Sequence, residues 1–159
     1  MKKFVLTLLC AVGITSAANA AGGDMAFGVN MAHASWANQM GIGAKFQCEL
    51  VDAFRVEPSF NYYFENANWR SWDVNVDFHY VVNVSNKFDV YPLAGLGCSN
   101  WKYDLGENTT YNQDRFVFNL GAGGEVALTE RIALTAELRY QLMKDFGQLD
   151  TMVGVKYRF

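Results

Sequence analysis

Beyond residue 20 the chain has no apolar run approaching the roughly 20 residues that a transmembrane helix needs, which excludes a helical membrane protein. Charge is sparse, at 18% of 159 residues, and the net formal charge is −3, so the basic footprint expected of a nucleic-acid binder is missing. With two histidines and three cysteines, no ligand spacing for a metal emerges, and neither a metal nor a cofactor is expected. Proline occurs only twice while aromatics make up 15%, a composition opposite to that of disordered chains. What is present is paradoxical: 51% of residues are apolar, yet the mean hydropathy is −0.02. Apolar and polar residues must therefore be finely interleaved.

The first twenty residues stand apart. Lys2-Lys3, an apolar stretch over 4–14 and Ala18-Asn19-Ala20 have the charge, length and small-residue pattern of an export signal. Leu9 precedes Cys10 where a lipoprotein signal would carry a small residue, so ordinary cleavage after Ala20 is expected. The expected organisation is a signal peptide over 1–20 and one domain over 21–159. Export permits disulfides, but only Cys48 and Cys98 remain.

From Met25 onward the periodicity is two, that of strands. Eight strands are predicted: 25–32, 41–51, 54–65, 71–84, 87–99, 114–129, 131–143 and 149–159. One phase of each is apolar, as in Trp72, Val74, Val76, Phe78, Tyr80, Val82 and Val84. Its exceptions, Pro58, Pro92, Gly124 and Thr151, carry no charge. The other phase holds the acids Glu49, Glu57, Asp73, Asp77, Asp89, Glu125, Glu137 and Asp150 and the bases Lys45, Arg55, Arg115, Arg139, Lys156 and Arg158, with amides and His79 among them. Alternating segments of about ten residues separated by turns are the signature of a transmembrane β-barrel.

A soluble barrel with its apolar face inward would alternate in the same way, and three features decide against it. Gly28, Gly41, Gly43, Gly95, Gly97, Gly121, Gly123 and Gly154 all lie on the polar phase. Small residues belong where space is scarce, and an eight-stranded barrel has room inside for little more than its side chains. Aromatics sort by height: Trp36, Trp69, Trp72 and Trp101, with Tyr62, Phe64, Phe116 and Tyr140, fall at the outer rim. Phe27, Phe54, Phe88, Tyr157 and Phe159 fall at the periplasmic rim. These are the expected interfacial girdles. Connections alternate, with tight turns at 51–53, 83–87 and 129–131 and longer outer loops at 33–40, 66–70 and 99–113. The fold class is therefore all-β, an eight-stranded antiparallel transmembrane barrel, closed because no edge can stay unpaired in lipid.

The stretch Tyr91-Pro92-Leu93-Ala94-Gly95-Leu96-Gly97 resembles the P-x-x-G-x-G segment of the small outer-membrane protein β-barrel domain, or opacity-type porin, family, which includes relatives of the outer membrane protein A barrel. Gly121-Ala122-Gly123 fits the same pattern. The final Val155-Lys156-Tyr157-Arg158-Phe159 looks like the terminal signal read by the barrel assembly machinery, with Tyr157 and Phe159 as its aromatics. The resemblance spans essentially the whole exported chain. It implies an outer-membrane location; with the sequence stopping at Phe159, no appended periplasmic domain is expected.

Mixed inward charges favour ion pairs that plug a narrow lumen over a ring of one sign that would select ions. A plugged barrel with a structural or surface-interaction role is expected. A small, weakly conducting pore and a lipid A-modifying enzyme are the alternatives. An enzyme would need a histidine beside a serine and a carboxylate near the outer leaflet. His33 and Ser35, with Asp104 or Glu107, are the only such set, and a rim histidine with a loop serine is the simpler account. His79 is expected to be a hydrogen-bonded interior residue. Cys48 and Cys98 fall on non-adjacent strands, beyond the roughly 7 Å that a disulfide spans, so no bridge is expected. Asn108-Thr109-Thr110 is sequon-like without a context for glycosylation. Expected partners are outer-membrane lipids, lipopolysaccharide, the assembly machinery and a host or surface ligand met by exposed loop aromatics. The barrel is expected to be a monomer.

Overall fold

The computed structural model describes residues 24–51, 53–104 and 110–159, with the side chains of Asp104 and Thr110 left aside. The expected signal peptide, its cleavage at Ala20, Cys10 and the centre of the 99–113 segment lie outside these residues.

Nine strands follow one another: β1 (Met25–Ala34), β2 (Gln39–Val51), β3 (Phe54–Asn66), β4 (Trp69–Tyr80), β5 (Val82–Ser85), β6 (Phe88–Asp104), β7 (Thr110–Ala127), β8 (Ile132–Met143) and β9 (Phe146–Arg158). Except for β4 and β5, neighbours in sequence pair antiparallel; β1 pairs with β9, and β4 pairs with β6. The sheet thus closes into an eight-stranded barrel in which β4 and β5 share one strand position along β6.

The predicted continuous strand over 71–84 is broken at Val81. Its amide donates to the Ala53 carbonyl at 2.7 Å, continuing the β3–β4 register past Phe54↔Tyr80, and the break in the β4–β6 ladder falls where Tyr80 would face Pro92, whose nitrogen has no hydrogen to offer. Pro58 stands at a similar gap, where the β2–β3 register skips from Lys45↔Ser59 to Cys48↔Val56.

A larger departure concerns the end away from Phe159. Half of the expected loop at 33–40 and most of those at 66–70 and 99–113 are strand. The β6–β7 register runs on to Asp104↔Thr110, and the connection between β3 and β4 is only residues 67–68, both with positive φ (49° and 64°). Such a pair is the backbone of a tight two-residue hairpin. Apolar alternation ceases where a strand leaves lipid, but hydrogen bonding does not. Polar cross-strand bonds, Asn100 to Asn112 at 2.6 Å and to Asp114 at 2.5 Å, replace apolar contacts there.

The two phases take opposite sides. Phe27, Val29, Met31, Ile42, Phe60, Phe78, Leu96, Phe116, Leu138, Tyr140 and Val153 are all exposed on the barrel wall, whereas the buried set is dominated by polar and charged residues. Inward glycines make room for longer neighbours: a Cβ on Gly95 would stand 2.1 Å from Asp77 Oδ1 and 2.4 Å from the Val76 carbonyl oxygen.

Candidate functional site

Among the described residues, chemistry-bearing side chains converge in the lumen, which is filled in three tiers. Nearest the end that carries Phe159, Glu125 of β7 faces three cations. Arg55 Nη1 lies 2.9 Å from Oε2, Arg158 Nη2 lies 2.7 Å from Oε1, and Lys156 also donates to Oε2. Arg55 reaches Glu49 as well, at 3.1 Å. Lys156 further donates to Gln47 Oε1 at 2.9 Å, and Gln47 donates to Glu57.

In the middle, Lys45 pairs with Glu137 and lies 3.6 Å from Glu57. Arg139 Nη2 lies 2.8 Å from Asp77 Oδ2 and 3.6 Å from Glu137 Oε2. Tyr91 donates its hydroxyl to Glu137 at 2.8 Å. Its ring stacks on His79, with centroids 4.6 Å apart and planes 8° from parallel, and the Arg55 guanidinium sits 5.7 Å from the same ring. His79 is thus held by stacking and not by the hydrogen bonds its sequence position suggested: neither ring nitrogen meets a partner among the described residues.

Above this lies an amide network. Asp73 accepts from Asn61 (2.8 Å), Asn75 (2.7 Å) and Gln141 (3.2 Å). Asn119 donates to Asn75 (2.9 Å) and to Asp77 (2.8 Å), joining the two upper tiers. Gln148 donates to Gln141 at 2.8 Å, and the Tyr63 hydroxyl donates to Asp150 at 3.1 Å. These residues come from five strand positions; the Gln141–Asp73, Asn119–Asn75, Asn119–Asp77 and Tyr63–Asp150 bonds join non-adjacent strands across the lumen, while Asn61–Asp73 and Gln148–Gln141 join register partners and Asn75–Asp73 lies within β4. Low dielectric strengthens such a network when its members are satisfied.

Aromatic side chains close the far end. Trp101 is 2% exposed, in a cluster with Val117 and Met143 against which Ala37, Trp69 and Phe146 pack. Trp36, in the β1–β2 turn, stacks on Phe146 at 4.7 Å and meets Trp69 and Trp101 edge-on at 5.2 Å each. Tyr103 adds a ring 4.6 Å from Trp69, and Arg115 lies 4.8 Å over Phe146.

Of the tryptophans expected in the outer girdle, only Trp72 lies on the outward phase of a strand. Trp69 and Trp101 share the phase of Ser71, Asp73 and Ser99 and point inward, while Trp36 lies over the mouth. The expectation placed them by height alone. Among the charges read from sequence, Lys45, Arg55, Glu57, Asp73, Asp77, Glu125, Glu137, Arg139 and Lys156 are buried in the lumen, whereas Glu49 and Arg158 lie at one edge. Arg115 belongs to the cap, bonded to the Lys144 carbonyl and to Gln113 and 3.4 Å from Asp145. Tyr157 and Phe159 are exposed and stacked together at 6.5 Å, and the Phe159 amide donates to the Met25 carbonyl. Phe146, Tyr63 and Tyr91 were not singled out as interior residues, although Tyr63 and Tyr91 share the phase of Asn61 and Asp89. No disulfide joins Cys48 to Cys98. No cluster of three metal-ligating side chains occurs among the described residues.

His33 Nε2 lies 2.8 Å from Asn38 Oδ1, and the Ser35 hydroxyl accepts from the Leu149 amide at 2.9 Å. Each has its own structural partner near the β1–β2 turn.

A closed antiparallel barrel with an apolar wall and a polar, charged interior is the architecture of an outer-membrane protein. The chain belongs to the family described as outer membrane protein beta-barrel domain, whose model matches residues 4–159, and that membership gives it an outer-membrane location. Among solved structures it is similar to the N-terminal β-barrel domain of OprF from Pseudomonas aeruginosa (20% identity, TM-score 0.75, covering 86% of this chain and 98% of that one). It is also similar to neisserial surface protein A (16%, 0.69, 87% and 98%). Ail, the attachment invasion locus protein of Yersinia pestis, is a third (19%, 0.66, 86% and 97%). At these identities the likeness concerns the fold. No curated protein matches.

Proposed function

We propose that the protein is a plugged outer-membrane barrel, structural and surface-presenting, with its Phe159 end in the periplasm and its aromatic cap at the cell surface. The signal peptide would be removed after Ala20. The observation that carries this reading is the unbroken succession of buried ion pairs, amide bonds and packed rings along the lumen. Ions would have to separate buried charge pairs, and losing one partner of such a pair costs about 3–5 kcal/mol. A catalytic role is not part of the proposal, because His33 and Ser35 are engaged with Asn38 and the Leu149 amide. Surface presentation is supported by the exposed Trp36 and Tyr111 at the capped end, and by the fold shared with Ail, an attachment protein by name.

Planar-bilayer recording tests the plug. The expected outcome is a silent membrane under conditions in which an open porin gives steps. Large, stable single-channel steps from the wild-type protein would overturn it and favour the conducting pore.

A further inference from the structure

At the capped end the barrel wall carries a feature that neither the plug nor the cap uses. Arg70 of β4 and Lys102 of β6 are direct register partners and face outward together. Like charges directly opposite on adjacent strands repel. Neither enters an ion pair with a described residue, so no described acid relieves the repulsion. The nearest outward acid on the adjoining strand, Asp114, is occupied by Asn100 at 2.5 Å.

The height of the pair is informative. Along β4 the outward residues below Arg70 are Trp72, Val74, Val76 and Phe78, an apolar run that ends in an aromatic. Trp72 pairs with Tyr62 of β3 and with Asn100 of β6. The cations therefore stand one outward row beyond the Tyr62–Trp72 row, about 7 Å further along the strands. Amphipathic rings mark the headgroup level of a membrane, so the next row stands among headgroup phosphates. Tyr62, Ser71, Trp72, Arg70 and Lys102 together line a shallow groove of about 130 Å³, cationic above and aromatic below.

We infer that this groove binds the phosphate of an outer-leaflet phosphorylated glycolipid, with Arg70 and Lys102 on the anion and the lipid body along Trp72 and Tyr62. Charge complementarity selects an anion, and the apolar run beneath selects a membrane-resident one over a soluble one. A guanidinium supplies paired donors for phosphate oxygens, while the ammonium acts as a point charge. The inference rests on the orientation given under Proposed function, since the other leaflet would present a different lipid.

The test uses the full barrel refolded in nanodiscs, with the double variant Arg70→Gln/Lys102→Gln as comparison and native mass spectrometry to count bound glycolipid. The probes are lipid A carrying its phosphates and the same lipid after dephosphorylation. Resistance to unfolding on unboiled gels shows that each variant is folded. The expected result is phosphorylated lipid A bound about 30-fold more weakly by the double variant, from roughly 1 kcal/mol per cation near a charged surface. Dephosphorylated lipid should bind both proteins alike. Equal binding of phosphorylated lipid by both proteins would overturn the inference, as would displacement of bound lipid A by a soluble sulfated oligosaccharide. Orientation is read separately. A Tyr111→Cys variant should react with a membrane-impermeant maleimide in intact cells, and failure there would sink the orientation whatever the nanodisc result.

Discussion

Trp72 and Trp101 stand on paired strands only one register step apart, Trp72 opposite Asn100 and Trp101 opposite Ser71. One nevertheless lies on the barrel wall while the other is buried in the mouth. The difference is a single residue of phase, because a strand alternates its side chains between faces. It changes what each ring contributes. Lipid refills the space left by a shortened wall residue, whereas nothing mobile refills the interior behind Trp101. Replacing Trp101 with alanine should therefore cost about 3–5 kcal/mol of unfolding free energy, as for other buried large-to-small changes. The same change at Trp72 should cost clearly less. A second measurement separates position from stability. In variants that retain one tryptophan each, lipids with brominated acyl chains should quench Trp72 strongly and Trp101 weakly. Equal quenching would return Trp101 to the girdle.

At the scale of the element, the inward glycines decide how closely the strands' contents can interlock. Gly95 lies under Asp77, the carboxylate that Arg139 holds at 2.8 Å. A methyl group at Gly95 collides with both that side chain and the Val76 carbonyl oxygen, so Gly95→Ala should displace the pair and lower stability by about 1–3 kcal/mol, as overpacking does. Gly124, on the lipid phase, would meet nothing nearer than 3.5 Å with the same addition. Gly124→Ala should leave urea unfolding in lipid vesicles nearly unchanged, and comparable losses at the two positions would contradict the assigned faces. This contrast was legible beforehand, since glycine on the charged phase already marked the crowded side. The wall and lumen phases were legible for the same reason: lipid and a narrow interior impose opposite chemistry on alternate residues. Strand length was not legible, because the rule that revealed the strands, apolar alternation, stops at the membrane surface, while the β6–β7 ladder continues to Asp104 and Thr110. Nor was the break at Val81, which depends on which residue of a partner strand lies opposite, and that register is absent from local pattern. Trp69 and Trp101 could have been placed from their phase, shared with Asp73 and Ser99.

For the whole molecule, the cap and the lumen network are obstacles in series. The cap is held by ring packing and by Arg115 over Phe146. The network beneath is held by ion pairs and amide bonds that reach from Asp73 to Glu125. In a series arrangement the less permeable layer sets the current, so opening one layer alone should change little. Trp101→Ala should remain silent in a planar bilayer, since the network below it, with Arg139 at its middle, is intact. Arg139→Ala should also remain silent while the cap stands, although it leaves Asp77 without its 2.8 Å partner and should lower stability by about 3–5 kcal/mol. Only the combined variant should pass ions, and because it leaves buried carboxylates without Arg139 the current should favour cations. Conduction by the single Trp101→Ala variant would place the whole barrier in the cap and reduce the network to a scaffold. Silence of a folded double variant would show that the amide tier and the Glu125 tier close the lumen without Arg139.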